Sequence, residues 1–147
     1  RWAIADKCGQ LMFEKTTLYP DAISTLNKLR HNKVKLALVT NGTSTAQRKK
    51  INKFDLKNHF DHIQIEGEAG IGKPELEAYK KALTALEVNA SETWMVGDNL
   101  EWEVIAPQKL GIFSIWRDPQ GDGTLPKNTT AKPDMIITKL SELVTGY

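Results

Sequence analysis

The run Val34-Lys35-Leu36-Ala37-Leu38-Val39, halted by Thr40-Asn41-Gly42, decides the fold. It is short, largely apolar and bounded by turn residues, which reads as a buried strand ending in a turn. Thr93-Trp94-Met95-Val96, halted by Gly97-Asp98-Asn99, repeats the pattern. Around these two runs the chain alternates. Asp21 caps a helix through Arg30, with Ile23, Leu26 and Leu29 at helical spacing. Ser44 to Phe54 is polar and basic and reads as an exposed helix. His62–Ile65 is a short strand, followed by a loop over Glu66–Gly72, and Pro74 opens a helix that runs to Leu86. Leu100–Leu110 reads as a helix, Ile112–Trp116 as a strand, Arg117–Lys132 as a long polar loop, Met135–Ile137 as a late strand and Lys139–Val144 as a last helix. Such alternation predicts an open, mostly parallel α/β sheet. Ligands bind such sheets beyond the carboxyl ends of the strands, so both polar turns fall on one functional rim.

The 147 residues suit one domain, and 40% hydrophobic content is enough for a core. Lys plus Arg number 20 and Asp plus Glu 18, a net charge of +2. The two signs are mixed along the chain, so no basic stripe points to nucleic acid. Cys8 is the single cysteine, which excludes an intrachain disulfide and points to a reducing, cytoplasmic setting. No apolar run approaches the roughly 20 residues needed to cross a bilayer, so no membrane partner is expected. Residue 1 is Arg rather than Met, which reads as a piece of a longer protein.

Three short segments carry chemistry. Thr40 offers a hydroxyl at a strand end, and the N–H groups of Asn41 and Gly42 follow it, a combination able to hold a phosphate. Lys73, in Gly72-Lys73-Pro74, is a point charge on a short loop and can face an anion. Asp98 places a carboxylate at the next strand end, where oxygen ligation of Mg²⁺ leaves room for water and substrate. Glu103 follows one helical turn later and can face the same point, while Gly97 lets the backbone turn closely. Each segment alone has an ordinary reading, as a turn, a surface lysine or a helix cap. The three histidines, His31, His59 and His62, are not at metal-ligand spacing with the cysteine. Trp94, Trp102 and Trp116 read as packing residues.

Taken in order, the segments resemble the C-terminal part of a haloacid-dehalogenase-superfamily hydrolase. Leu38-Val39-Thr40-Asn41-Gly42 resembles that family's second motif, Gly72-Lys73-Pro74 the third, and Val96-Gly97-Asp98 with Glu103 the fourth. The resemblance implies a Rossmann-like parallel core with helices on both faces over residues 19–147. It implies a phosphate monoester as substrate, attacked through an aspartyl-phosphate. Thr40, Asn41, Gly42 and Lys73 would bind the phosphoryl group, with Thr40 and Lys73 also catalytic. Asp98 and Glu103 would serve a Mg²⁺ ion. A catalytically inactive binding module and a 2-haloacid dehalogenase are the alternatives.

Two features depart from the family pattern. Glu103 stands where Asp is usual. The first motif, a strand ending in Asp-x-Asp-x-Thr, is not intact. Trp2-Ala3-Ile4-Ala5-Asp6-Lys7-Cys8-Gly9-Gln10 has the right order, with Asp6 as nucleophile, but Cys8 and Gln10 replace the second Asp and the Thr. Ala3 and Ala5 favour a helix over a strand. Residues 1–18 are therefore read as the remnant of a helical cap or a linker, with a degenerate first strand as the other choice. On the cap reading the nucleophile lies upstream of Arg1, and homo-oligomerisation or a bound N-terminal segment would complete the sheet. Asp122-Gly123-Thr124-Leu125 imitates the first motif but sits in a loop after the others.

Overall fold

A computed structural model of the chain describes residues 2–4 as a strand and residues 17–145 in full. The expected parallel sheet is present, with six strands in the order β3-β2-β1-β4-β5-β6. These are β1 Trp2–Ile4, β2 Leu36–Thr40, β3 His62–Ile65, β4 Trp94–Gly97, β5 Phe113–Arg117 and β6 Met135–Ile137. Every pairing is parallel. The helices are α1 Ala22–His31, α2 Ser44–Lys53, α3 Glu66–Ala69, α4 Leu76–Leu86 and α5 Ala106–Gln108. Among the described residues, no helix is long and apolar enough to cross a membrane.

All five residues of β2 are buried, as a strand covered on both faces requires. Their side chains alternate between the two faces. Leu36 joins Val96, Ile115, Leu26 and Leu29 on the α1 side. Ala37 and Val39 join Met95, Tyr79 and Ala82 on the α4 side. Residues level with one another on neighbouring strands share a face, and this governs the site.

The segment before residue 17 holds the main surprise. Trp2–Ile4 is a strand and occupies the centre of the sheet, between β2 and β4. The preference of Ala3 for helix is overridden there by backbone pairing on both sides, since strand preference depends on context. The register matches Ile4 with Leu38 on one side and Val96 on the other. Asp6, Cys8 and Gln10 lie outside the described residues.

Other local differences have physical causes. Asp21 precedes α1 without capping it, because its carboxylate accepts the N–H of Ser141 at 2.7 Å. The α4 helix starts at Leu76 rather than at Pro74, which lies in the preceding turn after a cis peptide bond from Lys73. A single turn, α3, occupies the expected loop after β3. The expected regular helix from Leu100 is a π-helical turn over Glu101–Ile105 that runs into α5. Pro107 has no N–H to return to the carbonyl four residues earlier, which removes one α-helical bond. The last helix is 3₁₀, over Leu140–Val144.

Candidate active site

The carboxyl ends of β2 and β4 bring the three segments to one rim. Thr40 closes β2 and is 5% exposed. Its hydroxyl donates to Gln47 Oε1 of α2 at 3.3 Å. Gly42 follows with φ of +120°, and a Cβ there would lie 2.7 Å from Gln47 Nε2. Glycine therefore suits both the backbone turn and the approach of Gln47 to Thr40. Thr43 caps α2, its hydroxyl accepting the Ala46 N–H at 3.2 Å.

Asn41 joins the first segment to the second. Its side-chain oxygen accepts the Lys73 N–H at 3.0 Å, and its side-chain nitrogen donates to the Lys73 carbonyl at 2.7 Å. Sequence reasoning valued Asn41 for its backbone N–H and missed this two-bond grip. No local signal shows it, because the partners are 32 residues apart.

Lys73 is not a surface lysine. It is 4% exposed, and its Nζ contacts Glu103 Oε1 at 2.7 Å. The ammonium also lies 5.7 Å from the centre of the Trp102 ring, a cation–π contact. Glu103 is fully buried, and its second oxygen accepts the Asn99 N–H at 2.8 Å. Burial pushes the Glu103 carboxyl above its usual range, opposed by the Lys73 charge and hydrogen bond and by the Asn99 N–H. Gly97 makes the arrangement sterically possible, since a Cβ there would stand 2.6 Å from Glu103 Cδ. Asn99 rather than Asp98 caps the following turn, its side-chain oxygen accepting the Trp102 N–H at 3.0 Å.

Asp98 is different from both. Its Oδ1 is buried and, among the described residues, has no hydrogen-bond partner. Its backbone carbonyl accepts the Trp116 indole N–H at 3.0 Å, so the residue itself is held in place. A buried carboxylate oxygen left without a donor is costly unless something outside the chain meets it. A hard divalent cation is one such group, and Mg²⁺ commonly takes only one or two protein carboxylates. The donor at Asp98 fits that requirement. Among the described residues no three metal-binding side chains cluster.

The Asp122-Gly123-Thr124-Leu125 segment lies in the loop after β5 and is not preceded by a strand of its own. The N–H groups of Asp122 and Gly123 are given to the Asp118 carboxylate, as is that of Gln120. Among the tryptophans, Trp116 is 3% exposed and Trp94 stacks on Phe113 with centroids 5.1 Å apart. Both are packing residues, as the sequence suggests.

This fold is shared with known proteins. A phosphoserine phosphatase from Thermus thermophilus is 37% identical over 126 residues, covering 86% of this chain and 49% of that protein. A HAD phosphatase from Thermococcus onnurineus superposes with a TM-score of 0.78 at 32% identity, over 88% of this chain and 58% of that one. A 2-haloacid dehalogenase from Pseudomonas syringae superposes with a TM-score of 0.73 at 28% identity, over 88% and 52%. The chain thus spans about half the length of the curated relatives it matches. The family model of haloacid dehalogenase-like hydrolases matches residues 3–117, which begin in the central strand and end with β5. The chain belongs to the haloacid dehalogenase-like hydrolase family.

Proposed function

We propose that this chain is the catalytic core of a Mg²⁺-dependent phosphohydrolase that acts on a small phosphate monoester. The observation that carries the reading is the sheet register together with the unmet Asp98 oxygen. Ile4 is level with Leu38 and Val96, which stand two residues before Thr40 and Asp98 on the two flanking strands. Asp6 follows Ile4 by two residues in the sequence, and it is the nucleophile in this reading. The central strand at Trp2–Ile4 supports the degenerate-first-strand reading over the cap reading. The phosphatases among the relatives support the reaction class.

In this reading the Asp6 carboxylate attacks phosphorus and the alcohol departs, leaving an aspartyl-phosphate that water then hydrolyses. Thr40 turns its hydroxyl from Gln47 to a phosphoryl oxygen, and the Asn41 and Gly42 N–H groups add to it. Asn41 fixes the backbone of Lys73, so that the ammonium neutralises phosphoryl charge from a set position. Glu103 commits both oxygens to Lys73 and Asn99, and so acts as a positioning residue for Lys73 rather than as a direct metal ligand. Asp98 would hold Mg²⁺, which when bound supplies positive charge against the phosphoryl oxygens.

The test is turnover of p-nitrophenyl phosphate by this chain with Mg²⁺, with the Asp6→Asn variant alongside. Turnover that Asp6→Asn abolishes is the expected result. Turnover that survives it removes Asp6 as nucleophile. Absence of turnover by the unaltered chain would favour a phosphate-binding module, in line with Cys8 and Gln10 replacing the usual Asp and Thr.

A further inference from the structure

We propose that Arg117 is a subsite for a second anionic group of the substrate, a carboxylate carried beyond the phosphate ester. This rests on the phosphohydrolase reading above and extends it to substrate choice.

Arg117 ends β5. Gly97 of β4 is level with Trp116, so the next positions match Asp98 with Arg117. Neighbouring strands run about 4.8 Å apart, which puts Arg117 one strand beyond Asp98 on the same rim. The face is also shared. Leu36, Val96 and Ile115, each two or four residues before Thr40, Asp98 and Arg117, pack into one cluster on the α1 side. Thr40 and Arg117 therefore project to the same side of the sheet.

Among the described residues the guanidinium has no charge partner. Three arginines are described. Arg30 contacts Asp61 at 3.5 Å and Arg48 contacts Glu68 at 2.8 Å. Arg117 has no carboxylate within ion-pair distance among the described residues, and its Nε is buried without a hydrogen-bond partner. The nearest carboxylate in sequence, Asp118, gives its oxygens to the loop N–H groups of Gln120, Asp122 and Gly123. Lys73, the other cation of the rim, is taken by Glu103.

The guanidinium carbon lies 3.9 Å from the centre of the Tyr19 ring. Stacking on an aromatic ring occupies the flat face of the group and leaves its N–H edge for an in-plane acceptor. A carboxylate fits that edge with two parallel hydrogen bonds, one of them to Nε. Tyr19 stands just ahead of α1, where the chain enters the rim before descending to β2. The subsite is thus held from two elements.

The test compares ω-carboxyalkyl phosphates of two to four carbons with plain alkyl phosphates of equal length, in the presence of Mg²⁺. The unaltered chain should prefer the carboxylated series in kcat/KM. Arg117→Gln should reduce that preference at least ~10-fold, mainly through KM, and Arg117→Lys should restore part of it. A preference unchanged by Arg117→Gln, or a proportional loss on both series, would overturn the subsite. If the unaltered chain turns over neither series, the phosphohydrolase reading fails, and calorimetric binding of the carboxylated esters decides on Arg117. Binding at least ~10-fold weaker in Arg117→Gln upholds it, and equal binding overturns it.

Discussion

Asp98 and Asp118 follow adjacent strands, and both hold carboxylate oxygen away from water. Asp118 is fully buried and satisfied from within, by the N–H groups of Gln120, Asp122 and Gly123. Burial raises its pKa, yet the three donors together hold the carboxyl below its ordinary range. Asp98 keeps an oxygen that no described residue meets. The same side chain at neighbouring positions thus does two jobs. One organises a loop, and the other leaves an oxygen that no described residue meets. Asp98 is half-buried where Asp118 is fully buried, and what separates the two carboxylates is whether N–H groups of the chain meet them.

The largest effect should come from exchanging these roles. Asp98→Asn removes the charge that would face Mg²⁺, and should lower phosphatase kcat/KM by about 10³-fold or more. Its melting temperature should hold or rise, because no internal bond is lost. Equal damage to stability and activity would break the contrast.

Glu103 sharpens the comparison as a carboxyl that is buried and satisfied, by Lys73 and the Asn99 N–H. Glu103→Ala strands the Lys73 ammonium and should destabilise the fold by about 3–5 kcal/mol in denaturant titration. Adding Lys73→Ala should recover part of that loss, since the two changes act on one contact. Strict additivity would mean that the pair is not coupled.

Asp118→Asn should be milder. An amide nitrogen replaces one acceptor and faces N–H donors, which should lower the melting temperature by about 5 °C or more while leaving the rim intact. The sign with pH follows from the depressed carboxyl. Its stabilisation is full above the ordinary carboxylate range and is lost as pH falls through the lower value of the folded state. Thermal melts between pH 5 and pH 2 should therefore converge for the unaltered chain and Asp118→Asn. Parallel curves would remove Asp118 as the source of the difference.

The layers of the fold were legible because burial leaves a local trace. His62–Ile65 and Met135–Ile137 are strands at the expected bounds, and the apolar run before Thr40 is a strand buried on both sides. What stayed hidden depends on distant partners. Asp21 looks like a cap until Ser141 arrives from the other end of the chain. The Leu100–Leu110 segment has helical spacing, yet its first turn is π-helical where Glu103 is packed against Gly97 and Lys73. The alanines at positions 3 and 5 argued against a strand at Trp2–Ile4, and its place between two strands overrides that preference. The contact of Gln47 with Thr40 and the stacking of Arg117 on Tyr19 were likewise hidden. A signal existed for Arg117, which ends an apolar strand on the same rim as Asp98.

That central position of β1 sets an order of events when the chain is made. β1 precedes both of its partners, β2 and β4, and the second half of the sheet reaches the first only through it. On the ribosome, at about 5–20 residues per second, β1 must wait several seconds for β4 to emerge. Until then its open edge, flanked by the apolar face of β2, is the part of the nascent chain most exposed to pairing with the wrong strand.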